Sequence, residues 1–185
     1  MTTTTEQKSR APGELELVRR FVNTYDVEEH TDELSDPDAM RAWLKASGLP
    51  VTRVTAADVE RAVTMREALR ALLFANAGDP VDRKTIEELN EIAGRSKLAV
   101  QFESTGDGRL EAAERDGDAA LGELLAIVYR SMADGTWRRL KACREDTCQW
   151  AFYDRSKNRS GTWCSMAVCG NRAKARAYRH RHGGG

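Results

Sequence analysis

Four cysteines are the residues best equipped for chemistry, and they come as two pairs. Cys143 and Cys148 have four residues between them, Cys164 and Cys169 also have four, and fifteen residues separate the pairs. Two short cysteine turns brought together can offer four thiolates to one tetrahedral Zn²⁺ at about 2.3 Å. An even number of cysteines also fits two disulfides. The N-terminus shows no secretory signal pattern, so a reducing, cytoplasmic setting and a metal are expected. Four thiolates close the coordination sphere and leave no position for a catalytic water. One structural zinc per chain is therefore expected, and no zinc hydrolase chemistry.

The segments around the cysteines must bring the pairs together. Gln149–Tyr153 is β-prone, residues 154–161 are polar and turn-rich, and Thr162–Trp163 resumes an apolar run. This reads as a β-hairpin between the pairs. After Cys169 the chain is rich in Ala, Arg and Lys, which favours helix. Knuckle, hairpin and a helix carrying the last ligands make a treble-clef-like Cys₄ finger over residues 137–182. Trp150, Phe152, Tyr153 and Trp163 can fill its small core or stack on bases.

The formal net charge is zero, but its distribution is not even. From Trp137 onward there are 12 Lys/Arg and 3 Asp/Glu, a net of 12 − 3 = +9, which leaves −9 on the rest. A basic finger on an acidic body points to a polyanion or an acidic protein, or to docking of the two parts on each other. Arg172, Arg176 and Arg179 recur at i, i+4 and i+7 and share one helix face. With Lys174, and with Arg155, Lys157 and Arg159 between the cysteine pairs, they form the expected nucleic-acid-binding set. The same residues can equally be a solvated basic face. Asn171, next to the last ligand, is expected to support the centre through a thiolate or local backbone.

The stretch Trp163-Cys-Ser-Met-Ala-Val-Cys-Gly-Asn-Arg172 resembles the signature of the CGNR zinc-finger family. Leu17-Val-Arg-Arg-Phe-Val-Asn-Thr24 and Trp43-Leu-Lys-Ala-Ser-Gly-Leu49 resemble the opening of the ABATE domain that precedes this finger. The resemblance implies a bacterial transcription regulator, with DNA as partner and an N-terminal domain that senses an effector or mediates homodimerisation. A zinc-stabilised protein-interaction module without DNA binding is the alternative.

Residues 1–12 are polar, without periodicity, and expected to be disordered. Residues 13–135 read as mainly α with one short β-hairpin. A helical stripe of Leu15, Val18, Phe21, Val22 and Tyr25 predicts a helix from Gly13 to about Glu29. Ser35 or Asp36 starts a second helix that Gly48 ends, and Thr55 with Asp58 makes a capping box for a long third. Asp82 and Asp118 are expected to cap two more. Leu98–Phe102 and Arg109–Ala113 flank a Gly-Asp-Gly turn and form the hairpin. The boundary near Gly135 is expected to separate two units that fold independently. Arg66 and Arg70, four apart on the long helix, could grip an anionic effector, with Asn23 at the pocket edge. They could also be ordinary paired or helix-end residues. There is no phosphate loop, nucleophile elbow or H-E-x-x-H, so no enzyme activity is expected. No apolar run approaches the roughly 20 residues of a membrane span.

Overall fold

In a computed structural model the described residues are 9–49, 51–112, 114 and 116–182. The expected disorder of residues 1–8 lies outside them. Residues 9–12 do not follow that expectation. Ser9 and Ala11 are buried, and the Ala11 amide donates to Glu16 at 2.8 Å.

Helix α1 (Leu15–Val22) buries Leu15, Val18, Phe21 and Val22. It stops well short of Glu29. The Thr24 hydroxyl donates back to the Phe21 carbonyl, and the chain turns into a two-residue hairpin, β1 (Tyr25–Asp26) with β2 (Thr31–Asp32). Tyr25 continues the helical period by coincidence, its place fixed by Arg66 stacked on its ring at 5.2 Å. This is a second hairpin in the N-terminal segment.

Asp36 caps α2 (Pro37–Ala46), accepting from the Asp38 and Ala39 amides, and Gly48 follows with a positive φ. The Thr55–Asp58 capping box opens α3 (Ala56–Ala75). Asp82 caps α4 (Arg83–Arg95). Strands β3 (Leu98–Phe102) and β4 (Gly108–Ala112) pair antiparallel. Helix α5 (Gly117–Ala133) is capped by Asp116, not by Asp118. Asp118 instead accepts from Arg61 at 2.6 Å, tying α5 to α3. Among the described residues no helix is long and apolar enough to cross a membrane.

A 3₁₀ turn (Trp137–Arg139) leads to β5 (Leu140–Ala142), which pairs antiparallel with β6 (Ala151–Tyr153). The finger's hairpin is therefore not the one expected. The partner of β6 precedes the first cysteine pair, and that pair sits in the connection between the strands. Residues 162–163 contribute one backbone bond, from the Arg144 amide to the Thr162 carbonyl at 3.1 Å. Strand β5 is three residues long, too short to show a period.

The hairpin has two buried faces. Leu140, Ala142, Ala151 and Tyr153 join the same core as Phe21, Met65, Leu69 and Leu124. Phe152 packs with Cys143 and Cys169 on the other side, with Trp163 against them. The apolar core thus continues past Gly135. The helices and the finger share it, which argues against the expected independence of the two parts.

Candidate metal centre and nucleic-acid interface

The first cysteine pair is shaped by its backbone. The Cys148 and Gln149 amides both donate to the Glu145 carbonyl, and Gln149 adopts φ +50. The second pair uses a wide turn, Met166–Gly170, in which the Gly170 amide reaches back to Ser165 at 3.1 Å. Such an i→i+5 turn fits four residues between ligands. Helix α6 (Asn171–His182) follows directly. Gly170 lies against the Met166 sulfur and the Trp163 ring, in space a side chain would need.

The four Sγ atoms lie within 4.8 Å of one another, with Cys148–Cys164 and Cys164–Cys169 each at 3.6 Å. A tetrahedral Zn²⁺ with bonds of about 2.3 Å needs sulfur separations of about 3.8 Å, so this set fits. Cys143 and Cys169 are buried. Hydrogen bonds from the Cys148 and Cys164 thiols hold Cys143 down to about 2. The bond to Cys143 pushes Cys148 up to about 12 and Cys164 up as well, while burial raises Cys169. Four sulfurs this close shed all their protons only when a cation shares the site.

Asn171 does not touch a thiolate. Its side-chain amide donates to the Ala167 carbonyl at 3.0 Å, tying the wide turn to α6. Arg172 reaches out of the finger to Glu28, donating to both carboxylate oxygens at 3.0 and 2.8 Å. Those bonds hold Glu28 below the usual carboxylate range.

Arg176, expected with Arg172 and Arg179 in the nucleic-acid-binding set, is instead engaged within the finger. It makes a two-pronged pair with Glu145, one contact being Nη2 to Oε2 at 2.9 Å. Glu145 lies between Cys143 and Cys148 and is 0 % exposed. Arg176 therefore braces α6 against the first knuckle, and a carboxylate with no solvent access needs that partner. The guanidinium of Arg179 has no ion-pair partner among the described residues, nor does the ammonium of Lys174. Helix α6 has no buried residue.

The loop 154–161 is built on a buried ion pair. Lys141 Nζ donates to Asp154 at 2.8 Å and to the carbonyls of Arg159 and Gly161. Burial alone would raise the Asp154 pKa. Bonds from Lys141, Ser156 and Gly161 outweigh it and hold Asp154 down to about 2. Gly161 lies so close to the Asp154 carboxylate that a side chain there has no room. Arg155 donates to the Arg10 carbonyl at 3.0 Å and stacks on Tyr153, while Lys157 and Arg159 are exposed.

The expected effector residues gather at the seam between the helices and the finger. The Asn23 amide donates to the Ala151 carbonyl at 3.0 Å and accepts from the Ala151 amide at 2.7 Å, as a strand neighbour would. Arg70 donates to the Gln149 and Val22 carbonyls. Arg66 grips both oxygens of Asp32 at 2.7 and 2.9 Å and also meets Thr24 and Glu67. Both arginines are 3 % exposed. With these partners all three serve the packing of the seam. Sequence reasoning missed Asn76, whose amide holds the Trp137 and Leu140 carbonyls at 2.9 and 2.8 Å, and Glu145 and Lys141. Nothing local marks them, because their partners lie up to 64 residues away.

This architecture defines a helical domain joined to a finger with a structural four-cysteine zinc site. The chain belongs to the ABATE family, described as "putative stress-induced transcription regulator", whose profile matches residues 15–135. Residues 139–182 match the CGNR zinc finger. Neither description is that of an enzyme. No match was found among curated proteins.

Proposed function

We propose that the protein is a DNA-binding transcription regulator of the bacterial cytoplasm. Zinc holds α6 out as a cationic arm, and the helical domain senses a small molecule or mediates assembly as a homodimer. The observation that carries this reading is α6 itself. It has five Lys/Arg along twelve residues, no carboxylate and no buried side chain, and it starts just after the turn that carries the ligand Cys169. A helix this polar does not stabilise a core. It gains its stability from the metal centre and the Arg176–Glu145 brace, and it leaves cations free for phosphate.

The contact set divides by geometry. Lys174 and Arg179 on α6, with Lys157 and Arg159 on the loop, are the direct phosphate contacts. Arg155 contributes from its stacked position over Tyr153. Arg172 becomes available when Glu28 releases it, and Arg176 acts by holding the helix.

Fluorescence anisotropy with labelled duplex over a salt series tests the reading. Replacing Lys174 and Arg179 by alanine is expected to weaken binding similarly on all sequences. It should also flatten the salt slope by about 0.9 per lost phosphate contact. Zinc-loaded wild type that binds no duplex at low salt refutes the proposal and leaves the protein-interaction reading.

A further inference from the structure

A crevice of about 620 Å³ opens where the end of α3, the end of α5, the 3₁₀ turn and the loop 154–161 meet. Its apolar wall is Leu72, Met132 and Trp137, and two arginines, Arg138 and Arg159, stand at it. Among the described residues it carries no carboxylate. The cleft beside β4, about 580 Å³, mixes five carboxylates with Arg109 and Arg130, and the groove beside α6 sets Glu28, Glu145 and Asp146 against Arg172, Arg176 and Arg179. Both arginines of the crevice come from the segment that sums to +9, and its lining residues before Trp137, Leu72, Ala75, Asn76 and Met132, are uncharged, so no carboxylate of the acidic part offsets them there.

The two arginines are also unlike most others in the chain. Arg66, Arg70, Arg172 and Arg176 are held by carboxylates. The guanidinium groups of Arg138 and Arg159 have no intramolecular partner among the described residues. Yet the backbone beneath Arg159 is fixed. Its carbonyl is taken by buried Lys141, its amide donates to Ser156 at 3.3 Å, and its φ of +53 is one that a side-chain-bearing residue seldom adopts. Arg138 follows Trp137, which is buried and whose carbonyl is held by Asn76. Both cations are thus set on anchored backbone beside an exposed methionine.

We infer that this crevice is the binding site for a small organic anion, a carboxylate or phosphate monoester on an apolar body. This deepens the sensing half of the function proposed above and rests on it. The volume falls within the range of small-molecule sites, about 300–1,000 Å³. Paired guanidinium forks match carboxylate and phosphate oxygens, while Trp137, Met132 and Leu72 supply the apolar wall. The site spans both parts of the chain. Arg159 sits on the loop that also presents Arg155 and Lys157, so an occupied crevice withdraws one cation from that loop and fixes its neighbour.

Calorimetric titration of the full-length, zinc-loaded protein tests this with four probes sharing one ring system. These are 1-naphthoate, 1-naphthyl phosphate, neutral 1-naphthol and cationic 1-naphthylmethylamine. At least one anion is expected to bind at least tenfold more tightly than the neutral and cationic probes, and the two anions distinguish carboxylate from phosphate. The variant R138A/R159A is expected to lose at least tenfold in affinity for that anion. Neither side chain holds a partner, so zinc content and helical circular dichroism should stay at wild-type values. Equal binding of anion and neutral probe, no binding of any probe, or undiminished anion binding by a folded R138A/R159A overturns the inference. Duplex affinity of the wild type, measured without probe, tests the regulator reading in a separate titration, so the two can fail independently.

Discussion

Leu140 belongs to the finger by sequence and to the helical core by packing, which makes Leu140→Ala an informative perturbation. The side chain is 0 % exposed and packs in the core shared with α1, α3 and α5. Truncating a fully enclosed leucine costs about 3 kcal/mol through lost transfer energy and the cavity left behind. With a urea m-value of about 2 kcal/mol per molar, the midpoint should fall by about 1.5 M. The readout is helical circular dichroism, with zinc kept saturating. Most helical residues lie before Gly135, so the signal reports the N-terminal segment. A shared core requires the helical transition itself to move. An unchanged helical midpoint, with only zinc affinity reduced, would refute this and restore two independent units.

Three further outcomes follow from contacts described above. Serine in place of Cys143, Cys148, Cys164 or Cys169 should abolish stoichiometric zinc by elemental analysis. Because the finger's strands pack in the common core, zinc loss should also lower the helical midpoint. Lys141→Met should cost about 3 kcal/mol by leaving Asp154 buried without its partner, and pairing it with Asp154→Leu should recover part of that loss; equilibrium unfolding of both variants measures it. Asn23→Ala strips partners from the amide and carbonyl of Ala151, at about 1–3 kcal/mol for each buried group left unpaired. Asn23→Asp should recover only the bond from the Ala151 amide, so a thermal series ordering wild type above Asp above Ala checks the assignment.

What could be read from the chain alone depended on how local the determining contacts were. The cysteine pairs carry their chemistry in their spacing, and Thr55–Asp58 carries its cap within one turn. The stripe Leu15, Val18, Phe21 and Val22 was equally legible. Its end was not, because Tyr25 fits the helical period while the contacts that turn the chain come from Arg66 on another helix. The partner strand of β6 was hidden because Leu140–Ala142 is only three residues long, too short for its alternation to establish a period. Arg176 matched Arg172 and Arg179 in every sequence property. Its different role depends on Glu145, 31 residues earlier, whose burial only the folded chain reveals. Lys141 was misleading in the opposite sense, since buried lysines are rare and this one is enclosed with its counter-ion.

The bonds of Asn23, Arg70 and Asn76 to finger backbone have a consequence for chimeras. These side chains grip the carbonyls of Ala151, Gln149, Trp137 and Leu140, groups that any sequence possesses. A foreign finger of the same backbone path could therefore be received without matching its side chains at those points. Tyr153 and Leu140 are different, because their shapes must complete the recipient's interior. A graft that keeps those two residues and the three polar hands of the host should seat. One that preserves only the cysteines should bind zinc and hang loose.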